Sequence, residues 1–256
     1  MIFDLHVHTV FSDGKNTPEE TVLAAIGKGM DVIGFSDHSY TPCDLSYCMK
    51  KEDAARYKAE IRRLKEKYAG QITVLLGLEQ DYETPGRVCG YDYKIGSVHY
   101  LTPENAVVPV DESADILRAA ADTYYAGDIY ALAEAYFDKV SRVIEKTRAD
   151  IIGHFDLIRK FNRDGSLFDE RNPRYRDAAV NALDRLLETK KPFEINTGAI
   201  SRGYQDEAYP SPMLLDYLTE KGASFVLSGD SHRTDGLCFL FERYRDIPGV
   251  LTEWKK

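Results

Sequence analysis

The chain has 256 residues, 43% of them hydrophobic and 29% charged, with a net charge of −9. That balance is ordinary for a globular protein and argues against a nucleic-acid or anionic-membrane surface, which needs a basic footprint. No apolar run approaches a membrane span, and Asp4 and His6 interrupt the opening before a secretory leader could form. The four cysteines (Cys43, Cys48, Cys89, Cys238) include no CxxC pair and read as free thiols of a cytoplasmic protein.

In chain order, an apolar run over about 2–6 predicts a first strand, ending in His6-Val7-His8. Asn16-Thr17-Pro18-Glu19-Glu20 carries a helix start, with Thr17 and Glu20 spaced for a capping box and Pro18 tolerated in the first turn. That helix is expected to end near Gly29, and 31–36 reads as strand two. A charged helix from Glu52 to about Ala69 is closed by Gly70. Strand three is expected over 72–78, stopping at Glu79, and strand four over about 93–98.

The stretch 100–112 has the least regular pattern. One or two helices follow between Ser113 and Thr147, where Tyr124, Tyr125, Tyr130, Tyr136 and Phe137 read as helix packing. Strand five is 151–153, a helix starts at Asn172-Pro173, and strand six is 191–196. A Gly, Ser and Tyr-rich loop (197–210) leads to a helix from Ser211-Pro212 and to strand seven, 223–228. Strand and helix alternating at this pace imply parallel strands with right-handed crossovers. No linker or repeat divides the chain, so one domain over 1–256 is expected.

All six histidines follow short apolar runs. His6 and His8 end strand one; alternate strand residues share a face, so two imidazoles can converge on one point. Asp37 and His38 end strand two, Glu79 strand three, His99 strand four and His154 strand five; Asn196 ends strand six, and Asp230 and His232 strand seven. In a closed parallel barrel those C-terminal ends meet on one rim, whereas an open sheet would spread them along a line. The predicted fold is therefore an α/β barrel of seven strands. Glu79 ends an almost wholly apolar strand, where a charge is costly without a cation, and reads as a carboxylate bridging two metals. Asp13, in Ser12-Asp13-Gly14, is compatible both with ordinary turn chemistry and with metal ligation.

His-x-His-Thr with Ser-Asp-Gly, Ser-Asp-His at 36–38, Gly-x-Glu at 77–79, Ser-x-His at 97–99, Gly-His at 153–154 and Asp-Ser-His at 230–232 resemble the polymerase-and-histidinol-phosphatase (PHP) family. Gly-His-Phe-Asp-Leu-Ile-Arg at 153–159 and Glu-Ile-Asn-Thr-Gly at 194–198, with Tyr209-Pro210-Ser211, look most like its histidinol-phosphate phosphatase branch, which serves histidine biosynthesis. The resemblance implies a distorted (β/α)7 barrel holding three divalent metals. It puts His6, His8, Glu79 and Asp230 on one ion, Glu79, His99 and His154 on the second, and Asp13, His38 and His232 on the third. Related phosphatases often carry a basic residue where this chain has Ser201, which shifts a phosphate contact to Arg202.

Nitrogen and carboxylate ligands suit Zn2+, Mn2+ or Fe2+ alike. A water bridging two such ions loses a proton near neutral pH, giving a hydroxide that can attack phosphorus in line. Arg159, Arg202 and Arg233 are candidates for forked contacts to phosphate, and Asp230 or His232 for protonating the leaving group. The chain has no P-loop, no GxSxG and no cysteine with a paired base, so a covalent nucleophile is not expected. The expected substrate is a small phosphorylated metabolite, L-histidinol phosphate first. A PHP phosphoesterase acting on nucleotides, oligonucleotides or phosphotyrosine is the alternative, and a non-catalytic PHP domain a third. Recognition of the non-phosphate end is expected from loops within 100–130 and 198–210.

Overall fold

The computed structural model describes residues 1–254; the last two residues of the domain expected over 1–256 lie outside that range. Ten strands occur in chain order: β1 (Phe3–Asp4), β2 (Val32–Phe35), β3 (Thr73–Leu76), β4 (Glu79–Asp81), β5 (Ile95–Ser97), β6 (Tyr100–Leu101), β7 (Val108–Pro109), β8 (Ile151–Ile152), β9 (Phe193–Asn196) and β10 (Phe225–Ser228). They form a parallel sheet β1-β2-β3, a parallel sheet β10-β9-β8-β5-β4, and an antiparallel hairpin of β6 and β7. The fold is thus α/β with parallel sheets.

Two isolated parallel bridges link the two sheets, Val7 to Ser231 and His38 to Glu79. At the first, Ser231 N donates to His6 O and His8 N donates to Ser231 O, both at 2.9 Å. At the second, Glu79 N donates to Asp37 O (3.3 Å) and Ser39 N to Glu79 O (2.8 Å).

The expected third strand is split. β3 pairs with β2, and β4 takes up pairing with β5 instead of stopping at Glu79. At the split, the Tyr93 ring lies against the backbone at Gly77, and at Gly34 of β2. A Cβ on Gly34 would come within 2.3 Å of the phenol oxygen, and one on Gly77 within 2.2 Å of the ring. The buried Tyr93 hydroxyl donates to Leu5 O (2.5 Å) and Phe35 O (3.3 Å), tying β1 and β2 together. Around it Phe3, Leu5, Val32, Ile95, Ile151 and Val226 form one buried cluster drawn from both sheets.

The helices are α1 (Pro18–Gly27), α2 (Ala54–Lys67), α3 (Ala114–Tyr124), α4 (Ile129–Val140), α5 (Val143–Thr147), α6 (Pro173–Leu187), α7 (Gly198–Ser201), α8 (Pro212–Glu220) and α9 (Phe241–Tyr244). The capping box forms as its spacing predicts: Glu20 N donates to Thr17 Oγ1, and Thr17 N to Glu20 Oε2. Between 113 and 147 there are three helices rather than one or two. Ala126 and Gly127 have positive φ and break the first pair, and Asp128 then caps α4 by accepting from Tyr130 N and Ala131 N.

Tyr136 and Phe137 are core residues, packed with Phe155, Tyr175 and Phe193 under α4 and α6. A second cluster lies between α1, α2 and the β2–β3 face. Among the described residues no helix is long and apolar enough to cross a membrane.

The tight seat of Tyr93 generates a contrast between two glycines. Gly77→Ala should lose about 1–3 kcal/mol of stability by overpacking. Gly27→Ala, with nothing within 4 Å of the new methyl, should be neutral or gain up to about 1 kcal/mol in the helix. Urea unfolding midpoints of the two variants check this; equal midpoints would contradict it.

Candidate metal centre

The apolar strands deliver their polar ends to one place. Glu79 is buried, and imidazoles surround both of its oxygens. Oε1 lies 2.9 Å from His154 Nε2 and 3.4 Å from His99 Nε2. Oε2 lies 2.7 Å from His38 Nδ1, 3.3 Å from His6 Nε2 and 3.6 Å from His8 Nε2. Asp230 Oδ1 stands 3.2 Å from His8 Nε2 and 3.7 Å from His6 Nε2. Asp13 reaches His232 Nε2 at 3.1 Å, His38 Nε2 at 3.7 Å and His8 Nδ1 at 3.9 Å. All nine ligand candidates, His6, His8, Asp13, His38, Glu79, His99, His154, Asp230 and His232, belong to this cluster.

Three subsets have ligand atoms within 4.8 Å of one another: His8, Asp13, His38 and His232; His6, His8 and Glu79; His38, Glu79 and His99. The partition differs from the one the resemblance implies. His8 stands between two groups, and His38 reaches Glu79 as well as Asp13. The reason is geometric: His8 stacks on His232 and tilts against His38, with ring centroids 4.2 and 4.3 Å away.

Several atoms of the cluster are buried and, despite close charged neighbours, make no well-directed hydrogen bond: His6 Nε2, His8 Nδ1 and Nε2, His154 Nδ1, Asp13 Oδ1 and Glu79 Oε2. Each such atom costs about 1–3 kcal/mol, and so many in one spot call for a ligand. Borderline divalent cations fit a donor set of imidazole nitrogens and carboxylate oxygens. Electrostatics agrees. Burial would raise the Glu79 pKa, yet His38, His6 and His99 hold it well below the carboxylate range. Burial, with His232 and His38 beside it, pushes His8 down to about 3 and so keeps it neutral. Burial works against the His99 imidazolium, but Glu79 and Asp81 outweigh it and push His99 up to about 9.

A set of acids behind the cluster orients it, and the strand-end pattern did not single these out. Glu194 Oε1 accepts from His6 Nδ1 (2.6 Å) and its Oε2 from His154 N (2.9 Å). Asp81 Oδ2 accepts from His99 Nδ1 (3.0 Å). Such contacts fix the tautomer and aim the far nitrogen inward. Glu194 and Asn196 are two apart on β9, and Glu79 and Asp81 two apart on β4, so the period-2 argument applied to His6 and His8 also reaches them. Asn196 supports Glu194 by donating to its Oε2 (3.2 Å) rather than joining the cluster.

Asp37 also sits behind the site: its carboxylate accepts from Thr9 N (2.8 Å), Thr9 Oγ1 (2.9 Å), Ser12 N (3.1 Å) and Ser12 Oγ (2.7 Å), fixing the turn that carries Asp13.

The cluster floors a cavity of about 440 Å³ whose wall includes Asp44, Tyr47, Tyr100, Asp111, Glu112, Lys160, Arg202 and Tyr204. Tyr100, Asp111, Glu112, Arg202 and Tyr204 fall in the loops expected to read the substrate; the loop with Asp44 and Tyr47 was not anticipated. Of the three arginines, only Arg202 lines this cavity, donating to Asp230 Oδ2 (2.9 Å) and Asp230 O (2.7 Å).

The other two are corrections. A turn at Leu157–Arg159 directs Arg159 into the interior, where Nε donates to Glu170 Oε1 (3.2 Å) and Nη1 to Ala208 O (3.4 Å). Arg233 immediately follows His232 in extended backbone (φ −149°, ψ 153°) and does not line the cavity. It is mostly exposed and pairs with Asp235 at 3.4 Å.

Removing the four contacts to Asp37 should be costly. Asp37→Ala is expected to lose about 2–4 kcal/mol, since hydrogen bonds to a buried charge are worth more than neutral ones. Chelator-treated protein unfolded in urea provides the measurement; a change within ~0.5 kcal/mol would show that the turn holds itself.

Known proteins resemble this chain over most of its length. A model of the PHP domain matches residues 4–198. A Deinococcus radiodurans protein named "Probable histidinol-phosphatase" is 32% identical over 96% of this chain and 94% of its own. The Bacillus subtilis "Histidinol-phosphatase" is 25% identical over 94% of this chain and 97% of its own. Among solved structures, one from Listeria monocytogenes superposes with a TM-score of 0.78 at 22% identity, covering 94% of this chain and 99% of that one. Histidinol phosphate phosphatase from Lactococcus lactis, complexed with zinc, L-histidinol and phosphate, superposes with a TM-score of 0.62 at 21% identity over 91% and 87%. With the family model spanning most of the chain and a relative 32% identical over nearly all of it, the chain belongs to the PHP domain family.

Proposed function

We propose that this protein is a metal-dependent phosphomonoester hydrolase that converts L-histidinol phosphate and water to L-histidinol and phosphate, a step of histidine biosynthesis. The names of its relatives support the substrate, and the zinc, histidinol and phosphate complex of the Lactococcus lactis protein supports the site. The single observation that carries the reading is the convergence of nine ligand-type side chains in one buried cluster, six of which (Asp13, His38, His99, His154, Asp230 and His232) line one cavity. The two bridges joining the sheets, with the core cluster shared by both, support a distorted (β/α)7 barrel whose rim carries those side chains. One PHP domain then accounts for the chain, and its four free thiols suit a cytoplasmic enzyme.

In this reading His6, His8, Glu79 and Asp230 hold one divalent ion, Glu79, His99 and His154 a second, and Asp13, His38 and His232 a third, with zinc, manganese or iron as candidates. Once bound, such ions supply positive charge for the phosphoryl oxygens and acidify water, one Zn2+ alone bringing its pKa to about 7. Arg202, held against Asp230, offers its guanidinium to a phosphate oxygen. Asp230 and His232, 3.6 Å apart and both lining the cavity, are the candidates for passing a proton to the ester oxygen as the P–O bond breaks.

The outer wall favours a cationic partner. Asp44, Asp111 and Glu112 face two cations, Lys160, paired to Asp111 at 3.1 Å, and Arg202, paired to Asp230 at 2.9 Å. Tyr47, Tyr100 and Tyr204 add aromatic faces suited to an ammonium or imidazolium group. The same wall disfavours nucleoside di- and triphosphates and oligonucleotides, whose extra phosphates would meet carboxylates.

Phosphate release from L-histidinol phosphate, phosphotyrosine and a mononucleotide, compared side by side, tests the substrate. Histidinol phosphate should lead in kcat/KM by roughly 100-fold or more, the scale available when buried polar groups lose their partner. Equal efficiencies would move the assignment to a broader phosphoesterase. Metal analysis should give about three ions per chain, and Glu79→Gln should lose both metal and turnover; full activity in that variant would end the bridging role.

A further inference from the structure

Asp4 lies two residues before His6 on the same extended run, so alternation puts Asp4, His6 and His8 on one side. By spacing alone it would be another ligand. Its oxygens are already committed, however, to three backbone amides. Oδ1 accepts from His6 N (3.2 Å) and Gly229 N (3.1 Å), and Oδ2 accepts from Cys238 N (3.1 Å). The carboxylate is fully buried, and each of its oxygens accepts from at least one backbone amide.

The partners of those bonds are unusual. Gly229 immediately precedes Asp230, a non-glycine residue in the left-handed region with φ of 47°, and Cys238 is itself left-handed with φ of 54°. Such conformations persist only where the surroundings over-determine them. Gly229 has no space for a side chain: a Cβ would come 2.5 Å from Asp4 Oδ2 and 2.6 Å from Ser231 Oγ. From the cavity side Arg202 donates to Asp230 O at 2.7 Å. The turn carrying Asp230 and His232 is therefore gripped from both sides, by Asp4 beneath and Arg202 above.

We propose that Asp4 is a positioning residue: anchored on β1 beside His6, its carboxylate clamps the amides of Gly229 and Cys238 and so fixes Asp230 against His6 and His8. β1 and the chain after β10 are more than 220 positions apart in sequence, and the clamp makes their spacing independent of loop flexibility. The inference rests on the reading of Asp230 as a metal ligand. It explains why a carboxylate is spent two residues from an imidazole without facing the cluster.

The test uses Asp4→Asn, which keeps the shape but turns one oxygen into a donor facing an amide N–H, and Gly229→Ala, whose methyl presses on Asp4. Zinc dissociation is followed by competition with a chromogenic chelator, alongside urea unfolding of the chelator-treated protein and steady-state kinetics. Both variants should fold, and one class of zinc site should weaken about 10–100-fold, the usual effect of removing an orienting partner, while the others hold. Turnover should fall with the KM for histidinol phosphate nearly unchanged.

Wild-type zinc affinity and kcat in both variants would overturn the clamp, however much their unfolding midpoints drop. If Asp4→Asn does not fold, Gly229→Ala decides by the same measure. Wild-type protein that binds no zinc would instead sink the functional reading itself, which separates the two failures.

Discussion

The structure is built around a buried carboxylate that cannot be left alone. Glu79 sits at the junction of the two sheets, with five imidazoles within 3.6 Å of its oxygens. An isolated charge at that depth would neutralise itself by shifting its pKa; here the surrounding histidines hold it ionised. Asp13 and Asp230 repeat the situation a few ångströms away, and the guanidinium of Arg202 is the one fixed cation in contact with the cluster among the described residues. Divalent ions resolve that imbalance and at the same time occupy the unpartnered imidazole nitrogens.

The scaffold follows from the same need. Short parallel strands end together only if their bodies are held in register, and Tyr93 does that from inside by bonding the carbonyls of Leu5 and Phe35. Gly34 and Gly77 are the places where its ring meets backbone. The bridge at Glu79 and the bridge at Ser231 join the sheets at the residues, or next to the residues, that face the cavity. Closure and chemistry therefore share the same few peptide units, and a ring of acids behind them (Asp37, Asp81, Glu194) converts strand position into side-chain aim.

Much of this was legible in the sequence because strand ends announce themselves: a short apolar run followed by a histidine or acid is rare by accident, and His6-Val7-His8 states its own geometry. The supporting acids were harder to see, since Glu194 and Asp81 look like ordinary polar positions until the face they share with Asn196 and Glu79 is considered. Arg159 was misjudged because closeness in sequence to His154 says nothing about direction; one turn of helix rotates it toward Glu170. Arg233, although next to His232, lies mostly exposed and pairs with Asp235. The β6–β7 hairpin had no glycine to mark it, its connection using Glu104 and Asn105 with positive φ instead.

Anomalous diffraction from crystals of the zinc-loaded protein, recorded on both sides of the zinc edge, addresses the central claim directly. The account predicts peaks within coordination distance, about 2.0–2.2 Å, of Glu79 and of the imidazoles around it. A cluster that closes on itself through protonated histidines, with no anomalous density beside Glu79, would contradict it.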